Sequence, residues 1–329
     1  MCLYPKLIQN RKYVSNKKNG GNIPPITDKR ALMVPVGCGK CIECKKQKAK
    51  DWQVRLHEDL REHKNALFVT YTFSNEGLQE IDNLIKGITG YDRDNEICRI
   101  AIRRYLERWR KKYKKSLRHW LVTELGHTST ERVHIHGIVW TDNRKDVEKI
   151  WKYGRVWIGD YVNGKTINYI VKYVNKVDPV HKEYNSKIFT SSGIGSNYRK
   201  RKDINRNKFN GEETIETYKT REGMELALPI YYRNYIYSDE EKEKLWLIKL
   251  DKEERWVDGV KVDISENEDE YYKLLKYKRQ KNKRLGYGDD AENWELKKYE
   301  NERRNLKKLE RLKKMYNFEG VGGEDRYTL

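Results

Sequence analysis

Two spacings of apolar residues run through this chain, one repeating every second position and one every third or fourth, and together they predict its elements. Residues 66–73 alternate as a first strand. Residues 119–126 and 131–140 make two more, the latter carrying the β-branched and aromatic Val133, Ile135, Val139 and Trp140 of a buried strand. The turn-rich stretch between them joins the pair as an antiparallel hairpin. A short strand is expected at 155–158. Helical spacing marks 41–63, where Trp52, Val54 and Leu56 supply apolar contacts on a basic helix. It also marks 96–115, where Cys98, Ile102, Tyr105, Leu106, Trp109 and Tyr113 share one stripe and make Cys98 a core residue. Two shorter helices follow, at 144–151 and 166–177, and Gly87 and Gly90 mark a loop between the first strand and the long helix. Strands and helices mixed in this order predict an α+β fold, a central and mainly antiparallel sheet flanked by helices.

Past residue 177 the pattern thins. Residues 186–211, rich in Ser, Gly, Asn, Lys and Arg, read as a mobile basic loop. Ser238 followed by Asp239, Glu240 and Glu241 opens a helix, with acidic residues at the positive end of its dipole. From 266 to 316 the sequence is charged helix with apolar residues too sparse for a large core, and fits an arm. The expected division is therefore 1–63, a cysteine-rich segment and basic helix; 64–180, the α+β core; 181–250, the basic loop and completion of the domain; and 251–329, a charged helical extension. There is no internal repeat, and a built-in helicase motor is not expected.

Charge narrows the partner. Lys and Arg number 70 against 50 Asp and Glu, a net charge of +20, so a polyanion is expected. The 24 tyrosines and 9 tryptophans lie among these cations, a mixture suited to stacking unpaired bases while holding phosphates. Lys45, Lys46 and Lys48 on the basic helix, and Arg199, Lys200, Arg201 and Lys202 in the later loop, are the cations expected to meet a nucleic-acid backbone. No apolar run approaches the roughly 20 residues that span a bilayer, and the start lacks a signal-peptide core, so the expected location is cytosolic with no membrane partner.

Three groups of residues carry candidate chemistry. Cys38, Cys41 and Cys44 form C-x-x-C-x-x-C, and Cys2 stands at the far end of the first segment. Clustered spacing and an odd total of 5 cysteines fit metal ligation better than disulfides, and four thiolates predict structural zinc, with an iron–sulfur cluster or free thiols as alternatives. His134 and His136, two apart on a strand, project from one face. Glu124, near the end of the preceding strand, lies within hairpin reach of either, and two histidines with a carboxylate make a divalent-metal site; His127 competes for the third place. On the helix at 166–177, Tyr169, Lys172, Tyr173 and Lys176 fall on one face and Ile167, Ile170, Val171, Val174 and Val177 on the other. The apolar side accounts for packing and leaves the two phenols and two ammonium groups for other work. A tyrosine, with a reference pKa of about 10, becomes a nucleophile at neutral pH when a metal polarises the phosphorus and cations offset the developing charge.

The set as a whole resembles the HUH endonucleases, the rolling-circle replication initiators and their relatives, and is most similar to the initiators of microviruses of the gokushovirus type. The residues that carry the resemblance are the segment 34–44 with its cysteines, the strand 68–73, His134 and His136 about Ile135, the run from Tyr169 to Lys176, and the glycines about Ile194 between Ser192 and Ser196. It extends from the first residues to about Trp246. The resemblance implies the HUH fold and Mg²⁺ or Mn²⁺ on Glu124, His134 and His136. It implies attack by Tyr169 or Tyr173 on single-stranded origin DNA to leave a 5′-phosphotyrosine and a free 3′-hydroxyl, and later rejoining to release circles. Lys172 and Lys176 would then neutralise the phosphate or relay a proton. A host polymerase and helicase, in the cytoplasm of a bacterial host, are the implied partners. Two rival readings need fewer residues: a non-catalytic zinc protein that binds single-stranded nucleic acid, and a metal-dependent hydrolase that uses water.

Overall fold

The computed structural model describes residues 2–127, 131–220 and 223–288. These divide into two units, one built from the stretch up to Asp59 together with that from Gly195 onward, the other from Leu60 to Ile194. The chain opens with β1 (Lys6–Gln9) paired antiparallel to β2 (Met33–Val36), then enters the long helix α1 (Ile42–Glu62). Val54 and Leu56 of α1 are fully buried, as the apolar spacing requires.

The second unit contains β3 (Ala66–Tyr71), α2 (Asn75–Asp82), α3 (Gly90–Tyr113), β4 (Arg118–Leu125), β5 (Val133–Trp140), α4 (Arg144–Ile150), β6 (Val156–Ile158), α5 (Gly164–Ile170), α6 (Lys172–Asn175) and β7 (Ile188–Thr190). Its strands form one antiparallel sheet in the order β6-β3-β5-β4-β7. The α+β architecture expected from the spacing is thus present. Alternation sorts β5 cleanly. Val133, Ile135 and Val139 join the main core with Cys98, Tyr105 and Trp109 of α3, while His134 and His136 take the other face. Truncating a ring as buried as Trp109 costs about 3–5 kcal/mol. Gly137 fixes how closely β4 approaches, because a Cβ there would lie 2.3 Å from the Trp120 carbonyl oxygen.

Two local departures have physical causes. Where a plain loop is expected after β3, the chain forms α2, whose N-cap Ser74 accepts a hydrogen bond from the Gly77 amide while Ile81 is buried. Gly90 then starts α3 six residues earlier than the apolar stripe suggests. Residues 186–211 are not one mobile loop: β7 pairs with β4, and residues 196–207 form two 3₁₀ turns with Tyr198 and Asn207 buried. Their polar groups are satisfied locally. Tyr198 donates to Asn207 Oδ1 at 2.7 Å, and the Asn207 amide donates to the Ile215 and Thr217 carbonyls at 2.6 and 2.9 Å.

The first unit resumes with β8 (Thr217–Lys219), β9 (Glu225–Ala227), α7 (Ile230–Ile236), α8 (Asp239–Asp251), the hairpin β10 (Glu254–Val257) and β11 (Val260–Asp263), and α9 (Asp269–Arg284). Ser238 and Glu241 form the capping box that the sequence promises for α8. Glu58 of α1 is fully buried and is met by Arg201 at 2.5 Å and by the Tyr218 hydroxyl. Gly195, at φ +73°, passes so close to α1 that a Cβ would lie 2.6 Å from the Arg55 carbonyl oxygen. The expected charged helix is present as α9; its continuation toward 316 lies outside the described residues. No helix among the described residues is long and apolar enough to cross a membrane.

Candidate active site

The register of β4 against β5 puts Glu124 directly opposite His134, and β3 puts Thr70 opposite His136. Across this lattice the Glu124 carboxylate reaches diagonally, and its Oε2 lies 3.0 Å from His136 Nε2. A carboxylate only accepts, so Nε2 donates; in the neutral form of the ring Nδ1 is then the acceptor for the Thr70 hydroxyl at 3.0 Å. His136 is thereby fixed in tautomer and in orientation. The His134 ring lies 6.4 Å from that of His136, centre to centre. Burial holds His134 below the ordinary imidazole value, and the neighbouring His136 adds to the effect. A neutral imidazole is the form that ligates. Beside His134 opens a cleft of about 460 Å³ lined in part by Ser74, Asn75, Arg132, Gly154 and Arg155.

The tyrosine helix begins with a capping box between Asn163 and Thr166 and runs through α5 into α6, tightening at Val171, whose carbonyl accepts from the Val174 amide. Ile167, Ile170, Val171 and Val174 are buried, so the face assigned to packing is the packed face. Opposite it, the Tyr173 ring stacks on His136 at 4.6 Å and 4° between planes. Tyr169, half exposed, meets Tyr173 edge to face, and their hydroxyls lie 2.7 Å apart. Burial pushes the Tyr173 phenol well above its usual value, with the Tyr169 hydrogen bond and the Glu124 charge adding to it. The Lys172 ammonium stands 5.9 Å from the centre of the Tyr169 ring, and Lys176 is exposed. The structure therefore gathers Glu124, His136, Tyr173, Tyr169 and Lys172 in one continuous row, with His134 on the same face of the sheet. His127 instead bonds Asp178 at 2.6 Å, tying the β4–β5 loop to the segment that follows the tyrosine helix.

Spacing alone did not single out Thr70, nor the aromatic wall that extends the row. Phe68 packs edge-on against Tyr169 at 6.2 Å and Trp157 at 5.6 Å, and Trp157 is 59 % exposed. A signal was available. Phe68 and Thr70 are two apart on β3, and the strand pairing that aligns Thr70 with His136 places both on the histidine face.

The four cysteines come together in the other unit. Continuing the β1–β2 register past Lys6 carries Cys2 back beside the turn that holds Cys38 and Cys41. The sulfurs of Cys2, Cys38, Cys41 and Cys44 all lie within 4.8 Å of one another, and among the described residues no other group of three or more His, Cys, Asp or Glu ligand atoms is so close. The amides of Tyr4 and Cys38 donate to Cys2 Sγ at 3.3 and 3.2 Å, and that of Cys41 donates to Cys38 Sγ at 3.3 Å. The neighbouring Cys41 sulfur pushes the Cys2 thiol up to about 11, Cys2 and Cys41 push Cys44 up, and Cys41 is held low by accepting from both. Four sulfurs in so small a space form a donor set for one cation, whose charge would favour their ionisation. Leu3, Val257 and Leu275 close the cluster with apolar surface, and Asn282 of α9 accepts from the Ile42 amide at the start of α1.

The cations expected on DNA are used unequally. Lys45 is 9 % exposed, with its ammonium over the Tyr287 ring, and Lys46 pairs with Asp258 at 2.8 Å. Arg201 is committed to Glu58 and Asp203. Lys48, Lys200 and Lys202 are exposed, and Arg199 is stacked between tyrosines.

Residues 66–178 match the model of a family described as replication-associated protein, of the ORF2 or gene-2-protein type, a span that begins with β3 and ends just past the tyrosine helix. The chain is also similar to the replication-associated protein ORF4 of Chlamydia phage 1, 28% identical over 164 residues that cover 43% of this chain and 38% of that protein. No solved structure matches it. These findings support the resemblance to microvirus-type rolling-circle replication initiators.

Proposed function

We propose that this chain, with its replication-associated domain at 66–178, is a rolling-circle replication initiator that nicks single-stranded origin DNA by tyrosine transesterification in the host cytoplasm. The observation that carries the reading is the row in which Tyr169 touches Tyr173, Tyr173 stacks on His136, and His136 bonds Glu124. A core does not need two phenols and an imidazole–carboxylate pair on an open sheet face.

Glu124 Oε2 and His136 Nε2, 3.0 Å apart, fit one divalent cation between them, Mg²⁺ or Mn²⁺. His134, on the same face, would be the third ligand. The bound ion would supply Lewis-acid polarisation of the scissile phosphate. Thr70 then accepts from the Nδ1–H of His136 instead of donating to it, so the ring keeps its orientation. The oxygen of one tyrosine forms a bond to phosphorus as the bond from phosphorus to the 3′ oxygen breaks. The phenolic proton passes to water, and the departing 3′ oxygen takes one up. Lys172, over the Tyr169 ring, offsets the charge that develops on phosphate. The remaining tyrosine is then placed to attack the regenerated origin. The cysteine cluster holds structural zinc in this reading. A host polymerase extends the 3′-hydroxyl, and a host helicase opens the duplex ahead of it.

The test mixes purified protein and Mn²⁺ with single-stranded origin DNA and seeks an adduct that survives denaturation. The expected result is an adduct that either single change, Tyr169→Phe or Tyr173→Phe, reduces and that the double change abolishes. Cleavage without an adduct would replace this reading with a water-using hydrolase. Binding without cleavage would leave a non-catalytic nucleic-acid-binding protein.

A further inference from the structure

The unit that carries the cysteines also holds a stack of alternating rings and guanidinium groups, well apart in sequence from the residues of the row. Arg55 of α1 lies over Trp52 at 4.1 Å and over Tyr231 at 4.1 Å. Arg199 lies over Tyr231 at 4.4 Å and over Tyr235 at 4.5 Å. The order is thus Trp52, Arg55, Tyr231, Arg199, Tyr235. Tyr231 and Tyr235 are four apart on α7 and so share one face of the helix, which spaces their rings to admit one guanidinium between them. Gly195 lets the turn that bears Arg199 approach α1 at the Arg55 backbone.

Packing alone does not account for this arrangement. Two positive charges straddle one tyrosine ring, and each guanidinium lowers the stability of the other; the Arg55 guanidinium is held below its usual value by burial, with repulsion from Arg199 contributing. Arg199 Nε is buried with no hydrogen-bond partner. At the far end of the stack, Tyr235 is 54 % exposed. The next residue along the chain from Arg199, Lys200, is exposed, and so is Lys202. A flat ring open on one side, with concentrated and incompletely satisfied positive charge beside it, matches one chemistry: a base to stack and a phosphate to hold.

We infer that this stack is a second contact for single-stranded DNA, at which a base lies on the open face of Tyr235 while the edges of Arg55 and Arg199, with Lys200, hold the adjoining phosphates. The inference rests on the reading that the chain handles single-stranded DNA, and adds a site outside the family-matched segment. The contact is independent of sequence, because every base has a face to stack and the guanidinium groups meet only the backbone. It would hold a strand whether or not that strand contains an origin.

The test uses the full chain carrying Tyr169→Phe and Tyr173→Phe, so that no strand is cut, and a fluorescent 12-nucleotide oligothymidine read by anisotropy. Tyr235→Ala should weaken binding roughly fivefold or more while leaving the melting temperature unchanged, and Tyr235→Trp should restore it. Arg199→Lys, which keeps the charge and loses the flat stacking surface, should weaken binding as well. Arg199→Gln should in addition flatten the dependence of affinity on salt. Wild-type affinity in both Tyr235→Ala and Arg199→Gln would overturn the inference, as would a loss that merely follows a loss of folded protein and is not restored by tryptophan. Oligouridine displacing the probe at lower concentration than oligothymidine would overturn the assignment to DNA. The homopolymer contains no origin, so absence of the covalent adduct in the nicking assay would remove the proposed reaction without touching this result, and the converse holds equally.

Discussion

The two candidate metal sites differ in what holds them together without an ion. The cysteine cluster has all four ligand atoms within 4.8 Å, donated amides on its sulfurs, and a cap of Leu3, Val257 and Leu275. The histidine site has one close ligand pair, and its groups satisfy one another: Glu124 with His136, His136 with Thr70, Tyr173 with Tyr169. A closed set of thiols suits a metal that stays and supports the fold. A partly gathered set on an open sheet face, each member with an exchangeable partner, suits an ion that works on a bound substrate.

The largest effect expected from that contrast is on stability. A four-thiolate zinc site contributes on the order of 10 kcal/mol of binding free energy, as much as a whole domain's net stability. Stripping metal with a strong zinc chelator should therefore abolish cooperative melting of the cysteine-bearing unit, and Cys41→Ser should do the same. An unchanged melting curve at zero bound metal would refute a structural role. Next comes His136→Ala, which should reduce adduct formation more than about 100-fold while the melting temperature holds. A collapse of the fold in this variant would make the two sites alike. Thr70→Val, which leaves His136 Nδ1 without its partner, should cost about 10-fold in adduct rate through weaker ion binding, visible as a higher Mn²⁺ requirement. A smaller effect separates the units by pH. Burial raises Asp51 of the cysteine-bearing unit to about 6, so the folded chain holds that proton more tightly than the unfolded one. The stabilisation is full below the unfolded value near 4 and is lost as pH rises through about 6. Asp51→Asn should therefore raise the melting temperature at pH 7.5 by about 2 °C and flatten its decline between about pH 4 and 6.

What was legible in the sequence follows the same division. The alternation about His134 and His136 is strong because β5 is central and one of its faces is wholly buried, so both the strand and the direction of its histidines can be read. The tyrosine face is readable for the corresponding reason, since Ile167, Ile170 and Val174 pin the helix. The partner of Glu124 was not readable, because it depends on the register across a loop: Glu124 faces His134 on the backbone lattice yet bonds His136. Among the cysteines the near three announce themselves by spacing, whereas the approach of Cys2 depends on the pairing of β1 with β2. Charge density concealed other features. Asp258 and Gly259, both at positive φ, make the tight turn of β10 and β11, but the signal sits inside a highly charged stretch that reads as helix. Lys45 looks like one lysine of a basic face, and only the placement of Tyr287 shows that it points inward.

The contact between the hydroxyls of Tyr169 and Tyr173 has a consequence for timing. In the proposed reaction, two hydroxyls one helical turn apart and joined by a hydrogen bond would let the first exchange prepare the second. With one oxygen esterified, its neighbour would already be within reach of the next phosphodiester and would need no search through solution. The interval between capture and release of a strand would then be set by the arrival of a regenerated origin.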